Sequence, residues 1–279
     1  MGASEFKTIQ PLRQLPRWAR YLLIGVLALG CYTRFVGLTR GHTDLPIGNA
    51  EPTSVGGSFY HFHPDETTLL RAARELHSPF DPPITAYGLV PIYLARGVLE
   101  GVGLFWDSPP SQLPEPHQYL ALRGASALLS LWCLALVWVV ARRFLDLWSA
   151  LLALYFTAIA PIGIQQAHFF TVDGLFTAIT LATFYTVVRA LAHNTVGWFA
   201  AAGVLIGFAG ATRLNGLLLG LVLMAGLVAM RGPAALRQLH LWLSALTATM
   251  TLLALQPYLA TDPGILFTGT STDDLYFSL

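Results

Sequence analysis

The sequence has few charged residues and almost no cysteine. Of its 279 residues, 11% are charged and 54% are hydrophobic, and the formal net charge is +1. Soluble domains carry about 25% charged residues, so the composition excludes an ordinary soluble domain and indicates a polytopic membrane protein. A net charge this small supplies no basic patch for phosphates and argues against a nucleic-acid partner. Cys31 and Cys133 both lie in hydrophobic stretches, which argues against a disulfide framework.

Hydrophobic runs long enough to cross a bilayer recur along the chain. The first follows a basic N-terminus and continues through Gly30-Cys31 to Leu38, so we interpret it as an uncleaved anchor rather than a secretory signal or a lipoprotein site. The sequence predicts an all-α polytopic membrane helical bundle with about seven transmembrane helices. The expected spans lie near residues 18–38, 121–141, 147–165, 171–190, 196–212, 214–230 and 238–257.

The distribution of arginine predicts the orientation of these spans. If residues 1–17 are cytoplasmic and the chain alternates, the arginine-bearing turns at 142–143, 189 and 231–237 also lie inside. Of the acids, only Glu5 and Asp146 then fall on that side, as the positive-inside rule requires. We therefore expect an integral protein of the inner or plasma membrane with a cytoplasmic N-terminus.

One loop on the outer side is unusually long. Residues 39–120 lie between the first two spans, and loops of this length are uncommon unless they are functional. Ile84–Trp106 is hydrophobic enough to be a further span, but it contains Arg96 and Glu100, and counting it would move the later arginines outside. We interpret it as a juxtamembrane helix. Residues 18–257 are expected to form one transmembrane domain, and residues 258–279 to begin another outer loop of a longer protein.

The tetrapeptide His63-Pro64-Asp65-Glu66 is the first candidate site. Adjacent acids at a membrane surface suit general-base chemistry on a lipid-linked substrate. The same residues are also typical of a helix start that Asp65 caps. His61, His63 and Asp65 alternate as metal ligands on one face of a strand do, but three candidates at this spacing carry little weight alone.

A second acid and a cation are expected on the same outer face. Asp173 lies at the mouth of the fourth span, where an ionisable residue indicates a functional site or an acid favoured by the helix dipole. Arg213 lies in an outer turn, where it would hold a lipid phosphate or, as a snorkelling side chain, meet the headgroups. Both interpretations stay open for each residue.

Taken in order, these motifs resemble the GT-C class of integral-membrane glycosyltransferases, particularly the protein O-mannosyltransferases and the aminoarabinose and rhizobial lipopolysaccharide sugar transferases. Two positions depart from the family pattern, since Ala125 replaces a proline and Arg213 replaces a lysine. The residues that carry the resemblance are His63-Pro64-Asp65-Glu66, Asp81-Pro82-Pro83, Tyr87-Gly88, Pro91-Ile92-Tyr93, Leu122-Arg123, Ala125-Ser126-Ala127, Asp173, Gly207 to Gly216, Pro257-Tyr258 and Asp262-Pro263.

The resemblance implies inverting transfer of a sugar from a polyprenyl-phosphate donor to a hydroxyl group of a protein or an envelope glycolipid. Asp65 would be the catalytic base, with Glu66 and Asp173 positioning the acceptor or tuning Asp65. Members of the class differ in their use of a divalent metal, so no cofactor is assigned and a metal stays open. Arg213 and Arg123 would bind the leaving phosphate. The other candidate residues for substrate binding are His63, His168 and Tyr87.

Two other functions stay open at this point. One is a membrane transporter that uses intramembrane charges, and the other is a catalytically inactive membrane subunit or fragment. Transporters usually place their charges in the middle of a span. The acids of this sequence cluster at one surface, which favours an enzyme that works on membrane lipid.

Overall fold

The computed structural model describes residues 12–43, 58–59 and 62–264 of the chain. Within these ranges the polypeptide is almost entirely helical, which confirms the predicted all-α bundle. A short antiparallel ladder pairs β1 (His42–Thr43) with β2 (Ser58–Phe59). The helices are α1 (Arg17–Phe35), α2 (Pro64–Glu75), α3 (Leu89–Trp106), α4 (Glu115–Phe144), α5 (Leu147–Ile159), α6 (Pro161–Ala167), α7 (Val172–His193), α8 (Val196–Thr212), α9 (Leu219–Arg231), α10 (Leu239–Leu255) and α11 (Tyr258–Thr261), with 3₁₀ turns at Leu12–Gln14, Pro110–Gln112, Leu214–Leu218 and Pro233–Arg237.

Local sequence signals set several helix boundaries. Asp146 caps α5 by accepting hydrogen bonds from the backbone N–H groups of Trp148 at 2.9 Å and Ser149 at 3.1 Å. The Ser149 hydroxyl also donates to this carboxylate at 2.7 Å, and these contacts lower the pKa of Asp146. α7 ends at Asn194, which adopts the left-handed conformation with φ 49° that asparagine tolerates.

The predicted spans correspond to helices of the bundle. In the described part of the chain, four segments are long and apolar enough to cross a membrane alone, namely α3, α4, α7 and Leu214–Arg231. α5 and α6 together form a fifth candidate, bent by 55°. α8 and α10 are apolar but have only 17 residues each. α1 is not among the candidates, whereas α3 is, so the predicted place of α3 as a juxtamembrane helix stays a prediction.

The closest helix packing occurs where α8 meets α10. Gly203 and Gly207 form a Gly-x-x-x-Gly stripe on α8, an arrangement that lets membrane helices approach closely. A Cβ at Gly203 would collide with the Thr247 hydroxyl and the Ser244 carbonyl of α10. The Thr247 hydroxyl donates to Ala200 O across the interface at 3.2 Å. At Gly203 the α8 backbone therefore packs directly against the Ser244 backbone and the Thr247 hydroxyl of α10.

α2 and α3 cover one end of the bundle, which we call the Asp65 end. The Arg96 side chain of α3 donates to Ala73 O at 3.3 Å and to Leu76 O at 3.1 Å, which satisfies carbonyls at the end of α2. Beneath α2, a hydrophobic core joins residues of α2, α3, α4, α7 and α11. Its members include Leu69, Leu70, Leu89, Ile92, Tyr119, Leu122, Val172 and Tyr258. This core fixes the start of α2 over the ends of α4 and α7.

The α8–α10 interface predicts a difference between two glycines of the same helix. We expect Gly203→Ala to destabilise the protein by roughly 1–3 kcal/mol, since the added methyl group overpacks the contact. A Cβ at Gly197 meets nothing within 4 Å, so Gly197→Ala should be neutral or slightly stabilising. Thermal unfolding in detergent checks this, and equal unfolding temperatures for the two variants would contradict it.

Candidate active site

The start of α2 presents two adjacent acids at the Asp65 end. His63 caps the helix, because its Nδ1 accepts a hydrogen bond from the Asp65 backbone N–H at 3.1 Å, and Pro64 occupies the first helical position. An Nδ1 that accepts carries no proton, so its 3.7 Å contact with Asp65 Oδ1 is not an ion pair in this arrangement. Asp65 and Glu66 are both buried, at 5% and 0% exposure.

Glu66 forms a two-pronged ion pair with Arg123 of α4. Arg123 Nε lies 2.8 Å from Glu66 Oε1, and Nη2 lies 2.8 Å from Oε2. The Phe170 backbone N–H donates to Oε1 at 3.3 Å. Both side chains are fully buried, and a paired geometry with further hydrogen bonds is what such burial requires.

Arg123 uses its remaining donors on the segment that follows α1. Its Nη1 donates to Arg40 O at 2.7 Å and lies 3.4 Å from Leu38 O. The rings of Phe62 and Phe169 lie near the guanidinium, with centroids 5.8 and 5.9 Å from its carbon atom. Arg123 is therefore held by contacts to α2 and to the segment after α1, and its predicted contact with the leaving phosphate stays a prediction.

Asp65, the first acid of this helix start, belongs to a different group of side chains. The Tyr87 hydroxyl donates to Asp65 Oδ1 at 3.2 Å. The Arg213 guanidinium lies 5.6 Å from the centroid of the Tyr87 ring, a cation–π contact. Arg213 Nη1 in turn lies 2.8 Å from Asp173 Oδ1, in a pair that is partly exposed. We call Asp65, Tyr87, Arg213 and Asp173 the acid–arginine row; the structure brings these four predicted residues together.

A glycine allows the row to form. Gly88 follows Tyr87, and its N–H donates to Thr212 O at the end of α8 at 3.2 Å. A Cβ at this position would collide with the Ala211 carbonyl and the Gln256 amide nitrogen. Only glycine permits this approach, which sets the Tyr87 ring beside Arg213, the residue after α8.

Two cavities adjoin these residues. The smaller, of about 290 Å³, is lined by residues that include Tyr87, Gly88, Arg213, Asn215 and Gln256, so it opens beside the acid–arginine row. The larger, of about 480 Å³, includes Arg40, Arg123 and His168 in its wall and lies beside the Glu66–Arg123 pair.

The two predicted histidines contact the backbone. His63 caps α2, as described above. His168 places Nδ1 at 2.7 Å from Ile164 O and Nε2 at 2.8 Å from Val36 O. Its ring therefore ties the end of α6 to the end of α1 and lies outside the acid–arginine row. The predicted part of both residues in substrate binding stays a prediction.

The described residues do not offer a metal site. Among residues 12–43, 58–59 and 62–264, no three His, Cys, Asp or Glu side chains converge as metal ligands do. Glu66 is paired with Arg123, and Asp173 with Arg213. His61, a member of the alternating triplet, lies outside the described residues. A divalent metal therefore stays an open expectation, with no ligand set assigned among the described residues.

Sequence reasoning missed Arg34, which is 1% exposed within α1. Its Nη2 lies 3.3 Å from Thr157 O, the carbonyl whose helical partner would be the N–H that Pro161 lacks. Nη1 donates to Ala158 O at 2.9 Å, and Nε donates to the Ser130 hydroxyl at 2.7 Å. Arg34 thus stabilises the bend between α5 and α6. The available signal was a charged residue inside an apolar span, which is costly without a role.

A family model places the chain among known proteins. The model described as dolichyl-phosphate-mannose-protein mannosyltransferase matches residues 117–259, just over half of the sequence. The chain belongs to this family. The GT-C class predicted from the sequence is thereby confirmed. No curated protein sequence matches the chain.

A solved structure has the same fold. The S. cerevisiae protein O-mannosyltransferase Pmt1-Pmt2 complex bound to the sugar donor matches with a TM-score of 0.60 and 17% identity. The match covers 91% of this chain and 35% of that chain, so this family member spans about a third of its length. The fold is therefore that of a polytopic membrane mannosyltransferase, and the chain is an integral membrane protein.

The ion pair at the base of the site predicts a large loss of stability when one partner is removed. We expect Glu66→Ala to destabilise the protein by about 3–5 kcal/mol, because it leaves Arg123 buried and uncompensated. Glu100→Ala removes the exposed partner of Arg96 and should cost less than about 1 kcal/mol. Thermal or denaturant unfolding of the purified protein compares the two, and a Glu66→Ala variant as stable as Glu100→Ala would contradict the assignment.

Proposed function

We propose that this family member transfers a sugar from a polyprenyl-phosphate donor to a hydroxyl group of a protein or a glycolipid. The observation that carries the proposal is the acid–arginine row, in which one tyrosine links a buried carboxylate to a cation. Glycosyl transfer from a lipid phosphate needs a carboxylate to accept the proton of the acceptor and a nearby cation to stabilise the leaving phosphate.

Asp65 is the general base of the proposed reaction. The acceptor oxygen attacks the anomeric carbon and gives its proton to the Asp65 carboxylate, while the bond from that carbon to the phosphate oxygen breaks. Attack opposite the departing phosphate inverts the anomeric configuration. The Tyr87 hydroxyl holds Oδ1 at 3.2 Å and so orients the carboxylate. Burial of Asp65 at 5% exposure keeps competing water away from the reacting atoms.

Arg213 stabilises the leaving polyprenyl phosphate. A guanidinium carries five N–H donors in a planar fork that matches phosphate oxygens. Asp173 engages Nη1 at 2.8 Å and fixes the plane of the fork, so Asp173 acts through Arg213. Glu66 and Arg123 are positioning residues, since their pair ties the start of α2 to α4 and thereby places Asp65.

The proposed membrane arrangement follows from these roles. The donor chain lies in the bilayer, and its phosphate reaches the Asp65 end at the membrane surface. We place this end on the outer face of the cell membrane and the N-terminus in the cytoplasm, as the arginine distribution predicts. Charges that cluster at one end of the bundle support an enzyme over a transporter, in which they would line a path through it.

A transfer assay with Asp65→Asn tests the base. Purified protein is incubated with a panel of polyprenyl-phosphate sugars, and release of polyprenyl phosphate is measured. We expect donor-dependent release by the wild type and a loss of at least about 100-fold in Asp65→Asn, in line with general-base catalysis. Asp107→Asn is the matched control, since Asp107 is exposed and left-handed at φ 48°, which asparagine tolerates. Turnover retained by folded Asp65→Asn would overturn the assignment.

A second assay separates charge from geometry at Arg213. Arg213→Ala should weaken donor binding about 10–100-fold, the value of a charged hydrogen bond of about 1.5–3 kcal/mol. Arg213→Lys keeps the charge and should lose less of the donor binding. Asp173→Asn should lower turnover, because the Arg213 guanidinium is no longer held by a carboxylate. Binding of a polyprenyl-phosphate sugar in nanodiscs measures the effect. Equal losses in the alanine and lysine variants would argue against a role for the charge alone.

A further inference from the structure

The smaller cavity beside the acid–arginine row has a chemically mixed wall. Its volume of about 290 Å³ is at the lower limit of small-molecule sites, which suits one sugar-sized group rather than a large ligand. Arg213 is the cationic residue of the lining, and Tyr87 contacts both Arg213 and Asp65. Two uncharged amide side chains, Asn215 and Gln256, line the same wall, together with Thr85 and Tyr258. Neither amide has a part in the proposed chemistry.

Gln256 is rigidly held in that wall. It lies at the break between α10 and α11 and is 3% exposed. Its Nε2 donates to Ala211 O at 3.0 Å, and its backbone N–H donates to Leu252 O at 2.8 Å. One donor thus anchors the amide, and a carboxamide has a further donor and an acceptor oxygen. A fixed amide in a cavity wall discriminates ligands by hydrogen bonding, because its orientation is set before the ligand enters.

Asn215 reaches the same cavity from a tight turn. It lies on the 3₁₀ turn after Arg213 and is exposed. The next residue, Gly216, donates its N–H to Arg213 O at 2.8 Å, and a Cβ there would collide with the Ala209 carbonyl carbon. This glycine folds the turn back against α8, which keeps Asn215 beside Arg213. The cation and the amide are therefore positioned by one local structure.

We propose that Asn215 and Gln256 recognise hydroxyl groups of the transferred sugar and so determine which sugar is accepted. The inference rests on the proposed function. Arg213 meets the phosphate, and the amides meet the ring hydroxyls of the sugar attached to it. A site built to hydrogen-bond a substrate hydroxyl rejects an analogue without it, because its own polar groups are then left unpaired. The cavity thus has a cation that binds the leaving phosphate and neutral hydrogen-bond donors and acceptors that bind the sugar.

The test compares sugar preference in single variants of the full chain. Polyprenyl-phosphate mannose and its C2 epimer, polyprenyl-phosphate glucose, serve as donors, and kcat/KM is measured for each. We expect Asn215→Ala to lower kcat/KM for the preferred donor at least about 10-fold, with kcat for the poorer donor nearly unchanged. The preference ratio, which is kcat/KM for the preferred donor divided by kcat/KM for the poorer one, should therefore fall. Gln256→Leu should act in the same direction. Gln112→Ala, an exposed amide on the Pro110–Gln112 turn outside the cavity, is the matched control and should keep the wild-type ratio.

The outcomes separate the inference from the function on which it rests. If the wild type turns over neither donor nor any other polyprenyl-phosphate sugar, the proposed function fails. If the wild type is active and Asn215→Ala is folded with an unchanged preference ratio, the function stands and the sugar-recognition inference is overturned. Because Gln256 also binds Ala211, the Gln256→Leu result counts only if this variant unfolds at the wild-type temperature. If it does not, the Asn215→Ala result alone decides whether the inference holds.

Discussion

The buried ion pair between Glu66 and Arg123 holds the site together. It joins the starts of α2 and α4 to the segment after α1 and, through the Phe170 N–H, to the approach to α7. Burying two charges costs several kcal/mol in desolvation, and a well-packed apolar pair is often at least as stable. What the pair provides is a defined geometry. Few other positions of α2 would satisfy every donor and acceptor of Glu66 and Arg123, so the start of the helix is held in one position on the bundle.

This constraint divides the work between two neighbouring acids. Consecutive residues of a helix point about 100° apart, so Asp65 and Glu66 cannot face the same partner. Glu66 faces the interior and Arg123, whereas Asp65 faces Tyr87. Adjacent carboxyl groups with different surroundings take different roles, as paired acids do in many enzymes. Glu66 thus sets the position of the helix start, and Asp65 is the base of the proposed reaction.

Much of the fold was predictable because hydropathy reports membrane spans directly, and Asp65, Asp173 and Arg213 were found as ionisable residues at the edge of the bilayer. The contacts that the candidate residues make were not predictable, since Glu66 and Arg123, for example, are 57 residues apart and no local pattern relates them. The roles of Gly88 and Arg34 depend on backbone atoms of distant helices, which a single sequence does not reveal. The sequence therefore predicted the helices but not the contacts between them.

In the proposed reaction, the pairing of Arg213 with Asp173 has a consequence for turnover. An arginine without a carboxylate partner would bind donor and product phosphates strongly, and tight ground-state binding does not raise the rate of the chemical step. Asp173 already holds one side of the fork at 2.8 Å, so the donor, whose phosphodiester carries a single negative charge, gains only part of the guanidinium. As the anomeric bond breaks, negative charge grows on the phosphate and the attraction to Arg213 increases. The same pair thus favours the transition state over the bound donor.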